Sequence, residues 1–110
     1  MSARELLKQY VFLHNYGIEN ADFEPLMQIF DDNIVFAFEN PRIGVFEGIK
    51  AVRDVFRLQP PDMPIAVGEI IESEGRASTD YADEASPTVR LGAISVETGS
   101  GKITKIFIGK

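Results

Sequence analysis

Leu6, Leu7, Tyr10, Val11 and His14 recur at intervals of three and four residues, the spacing of a helix with one buried stripe over Ala3 to Tyr16. Ser2 can cap this helix and Glu5 complete a capping box, while Gly17 is placed to stop it. Asn20 and Asp22 stand where a second helix could be capped, a short one over roughly Phe23 to Phe30 that buries Phe23, Leu26, Met27 and Phe30. The pattern then changes. After Asp31-Asp32-Asn33, the run Ile34 to Phe38 is dense in β-formers and ends at Asn40-Pro41, so it reads as a strand followed by a loop. Gly48 precedes a third helix, in which Ile49, Val52 and Phe56 share one face, and Pro60-Pro61 forces its end.

From Pro64 onward the signals are those of strands: Ile65 to Glu72, Thr88 to Glu97 and Lys102 to Ile108. Residues 73 to 87 are acidic and contain Pro87, which leaves an edge strand and a mobile loop both open. The order of elements predicts one α+β domain over residues 1 to 110, with about three N-terminal helices covering a curved antiparallel sheet.

Gly99-Ser100-Gly101-Lys102 looks at first like the end of a phosphate-binding loop. That loop needs a glycine where Val96 stands and a hydroxyl residue where Ile103 stands. It must also open a helix, whereas Ile103 to Ile108 is rich in β-branched and aromatic residues. The glycines are therefore read as a hairpin turn between the last two strands.

Composition narrows the chemistry. The chain has 110 residues, no cysteine and one histidine, so disulfides and zinc sites built from several Cys and His ligands are ruled out, and no metal or other cofactor is expected. Seventeen acidic residues against eleven basic ones give a net charge of −6, which disfavours nucleic acid as a partner. The first ten residues interleave charges with apolar side chains, and no segment approaches membrane-spanning length. A cytoplasmic protein without membrane contact is the expectation.

Three motifs carry a resemblance. LLKQYVFLHNYGIENADFEPLMQIFDDNIVF leads two helices through Phe-Asp-Asp into a strand; FEGIKAVRDVF sets a glycine before a helix that ends in an aromatic; GKITKIFI gives a turn and a last strand. In this order they resemble the nuclear transport factor 2-like superfamily, which includes the SnoaL-like polyketide cyclases, ketosteroid isomerases and limonene epoxide hydrolases. The resemblance implies a cystatin-like, cone-shaped α+β domain with an apolar pocket between sheet and helices, usually in a homodimer. It also implies a small apolar molecule as ligand; an enzyme or carrier should enclose a cavity of roughly 300–1,000 Å³, whereas an adaptor could be packed solid with an apolar patch outside.

The superfamily's catalytic carboxylates are missing from their places. In the ketosteroid isomerases a helix tyrosine and a strand aspartate stabilise an enolate, and a second aspartate moves the proton. The tyrosine matches Tyr10, but the proton-moving aspartate falls on Phe38 or Asn40 and the other on Ala93. The limonene-type hydrolases use Arg-x-Asp, which this chain lacks; Tyr81-Ala82-Asp83 keeps one acid without its partners. Scytalone-dehydratase-like chemistry needs two histidines, and only His14 exists.

Tyr10 and His14 remain as catalytic candidates, one helical turn apart on a face that is otherwise apolar. One reading makes them a hydrogen-bond donor and a titratable base turned into the pocket. The other makes His14 a buried histidine satisfied by a carbonyl or by Tyr10, which is the commoner fate of buried polar groups. Phe36, Phe38, Asn40, Val52, Phe56 and Asp83 are the candidate ligand-binding residues. Two functions follow: isomerase, cyclase or lyase-like acid–base chemistry without a metal, or a non-catalytic dimerisation or protein-interaction module. Glu72, Glu74, Asp80, Asp83 and Glu84 could be paired acids but read better as a hydrated acidic edge.

Overall fold

The computed structural model describes residues 1–110, and no helix in it is long and apolar enough to cross a membrane. Helix α1 spans Ala3–Asn20. Ser2 caps it as expected: its hydroxyl accepts from the Glu5 N–H at 3.1 Å, and the Glu5 carboxylate accepts from the Ser2 N–H at 3.3 Å. Gly17 does not end this helix, which runs on to a left-handed Ala21 at φ 52°. The glycine serves packing instead. A Cβ there would lie 2.2 Å from the Phe23 ring, so its absence lets the following segment close onto α1.

Gly17→Ala is accordingly expected to destabilise the fold by about 1–3 kcal/mol through overpacking. The helix-propensity gain of at most about 1 kcal/mol is the smaller term, because Phe23 is also held against the Phe56 ring at 5.2 Å. Thermal denaturation decides the sign, and a stabilised variant would contradict this packing role.

Helix α2 is a single turn, Glu24–Met27. It stops short of the expected length because Phe30 already belongs to strand β1, Phe30–Phe38. Within β1 the register against the last strand slips between Phe30 and Val35, so Asp31-Asp32-Asn33 bulge from the ladder, as polar turn formers do. Strand β2, Val45–Glu47, pairs with β1 and occupies what the sequence presents as loop. Helix α3 is Ile49–Leu58, entered through Gly48 at φ 91°.

The expected strand from Ile65 to Glu72 is two short ones, β3 (Ile65–Val67) and β4 (Ile71–Ser73), separated at Gly68. Both pair with β5, Arg76–Asp83. Most of the stretch left open between an edge and a loop is therefore an interior strand. Ala77 and Thr79 are buried while Arg76 and Asp80, at the alternate positions, are exposed, so the charges reflect one solvated face.

Strands β6 (Arg90–Gly99) and β7 (Lys102–Gly109) complete the fold. Ser100 and Gly101 both take positive φ, 53° and 78°, which gives the two-residue primed turn that suits a hairpin. The sheet order is β2-β1-β7-β6-β5-β3, with β4 also on β5. All neighbours are antiparallel except β1 and β7, which run parallel, so the sheet is mixed rather than wholly antiparallel. It is curved and open. Helix α1 lays Leu6, Leu7 and Tyr10 against Ile94, Val96, Ile103 and Ile106, each at most 2% exposed. The core therefore lies between α1 and the concave sheet, and the gap near α3 is left for a cavity.

Candidate functional site

Three elements converge on that gap. Helix α1 contributes Tyr10 and His14, whose ring centroids are 5.9 Å apart. Alternation along β1 turns Phe36 and Phe38 inward, stacked at 5.2 Å, and α3 brings Val52 and Phe56 from its apolar face. These six candidates line one cavity of about 170 Å³. It is smaller than expected because aromatic rings fill much of the space between β1 and α3.

Asn40 and Asp83 are not among the lining residues. Strand β1 ends at Phe38, and Asn40 belongs to the turn leading to β2, where its side chain accepts from the Arg42 N–H at 3.0 Å. Asp83 ends β5 and accepts from the Ala85 N–H at 2.9 Å. Both side chains hold turns, the common use of Asn and Asp at such places. The lining also includes Phe46, Val55, Gln59, Pro61 and Ile108, which sequence reasoning passed over. Ile108 was the legible one, since it shares strand parity with buried Ile106; Phe46 was hidden with the short strand that carries it.

The cavity wall is apolar apart from Tyr10, His14 and Gln59, and it carries no carboxylate. Tyr10 is 2% and His14 7% exposed. The expected satisfaction of His14 by a backbone carbonyl or by Tyr10 is not what the structure contains: Nδ1 is 3.0 Å from the side-chain oxygen of Asn15. Neither the Tyr10 hydroxyl nor the other imidazole nitrogen, Nε2, has a hydrogen-bond partner within the chain. No fully buried side-chain nitrogen or oxygen is left unpaired, so both atoms reach accessible space.

No protein-family model and no curated protein matches this sequence. Solved structures do. A nuclear transport factor 2-like protein from Anabaena variabilis superposes with a TM-score of 0.75 at 13% identity, over 96% of this chain and 87% of that one. This chain has the nuclear transport factor 2-like fold. A proposed isomerase from Rhodopseudomonas palustris is similar with a TM-score of 0.68 at 17% identity, over 99% and 89% of the two chains. TerC, co-crystallised with polyporic acid, is similar at 0.66 and 15% identity, over 91% and 87%. At such identities the likeness fixes the fold and leaves the reaction to the site.

In this nuclear transport factor 2-like domain, burial raises the pKa of the Tyr10 phenol, and nearby Tyr81 raises it further. Tyr10 is thus kept as a neutral donor. Burial lowers the pKa of His14, and the hydrogen bond to Asn15 opposes this in part. The folded chain therefore binds less proton at His14 than the unfolded chain does. His14 has no effect on stability well above its unfolded pKa of about 6.5 and costs stability as pH falls through that value. The stability of the wild type relative to His14→Gln is expected to fall between about pH 7 and pH 5. Chemical denaturation across that range checks this; a constant difference would show that His14 ionises as freely folded as unfolded.

Proposed function

We propose that the domain binds a small, mostly apolar carbonyl compound and performs metal-independent acid–base chemistry of the isomerase or cyclase type on it. The observation that carries this reading is that Tyr10 and His14 line one apolar cavity and each has a polar atom without a protein partner, the hydroxyl and Nε2. Both atoms reach accessible space, where water can partner them, and a ligand with matching groups takes the place of that water. A cavity of about 170 Å³ suits a molecule of one ring, since about 150 Å³ holds benzene in an engineered apolar cavity.

The chemistry follows from the charge states. Neutral Tyr10 donates to the carbonyl oxygen, and neutral His14 takes a proton from the adjacent carbon through the Nε2 lone pair. The electron pair of the broken C–H bond moves towards the carbonyl oxygen, where the Tyr10 hydrogen bond strengthens as negative charge develops. His14 then returns the proton to another carbon of the conjugated system. No atom is gained or lost, which is an isomerisation. Support from likeness is general: a protein of the same fold was co-crystallised with polyporic acid, and another is described as a proposed isomerase.

Tyr10→Phe separates binding from stability. Loss of a hydroxyl that has no protein partner is expected to leave stability unchanged or raise it by up to about 1 kcal/mol, while ligand affinity falls about tenfold with the lost hydrogen bond. Denaturation and calorimetric titration measure the two. A clearly destabilised Tyr10→Phe would place a structural partner on the hydroxyl and remove the argument.

A second reading is a non-catalytic homodimerisation or interaction module. It is favoured by Phe12 and Tyr16, an exposed aromatic pair on α1 stacked at 6.5 Å, and by exposed Leu91 and Phe107 on β6 and β7. Native mass spectrometry of the purified protein, gently ionised and then denatured, distinguishes the two. A released one-ring carbonyl compound supports the binding site, whereas a ligand-free dimer moves the assignment to the interaction module.

A further inference from the structure

Asn15 follows His14 on α1, and its amide reaches across to strand β3. Its Nδ2 donates to the Ile65 carbonyl at 2.9 Å, and its Oδ1 accepts from the Ile65 N–H at 2.9 Å. These backbone partners admit only one orientation of the amide. The N–H of Ile65 needs an oxygen and its carbonyl needs an NH₂, so a flipped Asn15 would lose both bonds. Ile65 lies on the end strand of the sheet, and Asn15 occupies backbone groups that a further strand would otherwise take. The amide is therefore oriented by the fold, independently of the histidine.

The same Oδ1 lies 3.0 Å from His14 Nδ1. A carbonyl-type oxygen can only accept, so in the neutral imidazole the proton sits on Nδ1 and the lone pair on Nε2. We propose that Asn15 is a positioning residue that, anchored on Ile65, holds His14 in the Nδ1–H tautomer and keeps Nε2 as the acceptor. Beside the Gln59 amide, Tyr10 then offers a donor and His14 an acceptor. The pair favours a ligand that carries an oxygen acceptor for Tyr10 together with an acidic C–H or O–H for His14, and a second acceptor facing Nε2 is disfavoured. When Nε2 takes a proton, the Nδ1–H to Asn15 bond stays in place and stabilises the imidazolium, because hydrogen bonds to charged groups are the stronger ones. This ligand preference rests on the acid–base reading above; the tautomer does not.

His14 is the only histidine, so protein labelled with ¹⁵N-histidine shows one imidazole spin system. Long-range ¹H–¹⁵N spectra at pH 8 are expected to show a protonated Nδ1 and an unprotonated Nε2 in the wild type. Asn15→Asp, which keeps the accepting oxygen, is expected to retain that tautomer, and Asn15→Leu to shift the population towards protonated Nε2. A wild type with its proton on Nε2, or an Asn15→Leu variant with the pure Nδ1–H form, would overturn the proposal. If Asn15→Leu does not fold, Asn15→Asp decides, since a proton on Nε2 there contradicts an oxygen-imposed tautomer. A fixed Nδ1–H tautomer in a protein that binds no carbonyl compound retires the acid–base reading and leaves the positioning role standing. Binding that survives with a mixed tautomer does the reverse.

Discussion

His14→Gln is expected to slow proton transfer on the bound carbonyl compound by about 10²–10⁴-fold, the usual contribution of a positioned general base. Glutamine keeps the bulk and a polar end but cannot take a proton near neutral pH, so the loss should fall on turnover more than on binding. The cavity contains no carboxylate to stand in for the imidazole, and a base from solution lacks the efficiency of a group already in place. Exchange of the α-proton of a one-ring ketone with deuterium, followed by NMR, measures the step directly. Equal exchange by wild type and variant would remove His14 from the chemistry.

Ile106→Ala is expected to have the largest effect on the fold, about 2–5 kcal/mol. Ile106 is fully buried on β7, opposite Phe36 of β1 and Val96 of β6, so a cavity there undermines the parallel and the antiparallel ladder together. For a domain of this size the loss corresponds to a fall in Tm of roughly 10–20 °C. Phe36 also lines the ligand cavity, and weakened binding should accompany the lower Tm. A variant that melts within a few degrees of the wild type would show that the sheet collapses around the gap.

The elements that announce themselves by local signals were legible in the sequence. The capping box at Ser2 and Glu5, the apolar stripe of α1, the entry of α3 at Gly48 and the turn at Ser100-Gly101 all rest on residues within a few positions of one another. What sequence reading missed depends on partners distant in the chain. Gly17 resembles a helix stop, and only the arrival of Phe23 shows why it lies inside the helix. Strand β2 is three residues long and exists because β1 offers it an edge. The polar stretch at β5 hides an interior strand, since Arg76 and Asp80 are exposed while Ala77, Thr79 and Ala82 are buried.

The site divides along the same line. Helical spacing put Tyr10 and His14 on one face, and strand alternation put Phe36 and Phe38 on another, so both pairs could be read before the chain was folded. Asn40 and Asp83 were chosen by position near strand ends, where the side chains turned out to be engaged in turns. Asn15 carried no signal of its own. Its role comes from Ile65, fifty residues away in the sequence, a pairing that no local pattern encodes.

On the proposed function, the Tyr10 hydroxyl and His14 Nε2 form the polar end of a cavity for a small carbonyl compound. Titration of ¹⁵N-histidine-labelled protein with cyclohexanone and acetophenone, against ethylbenzene as a control without the carbonyl, tests it most directly. Saturable shifts of the His14 imidazole resonances are expected with the ketones, weaker ones with ethylbenzene, and loss of that difference in Tyr10→Phe. Resonances that stay unmoved through the ketone titrations, or respond equally to ethylbenzene, would contradict it.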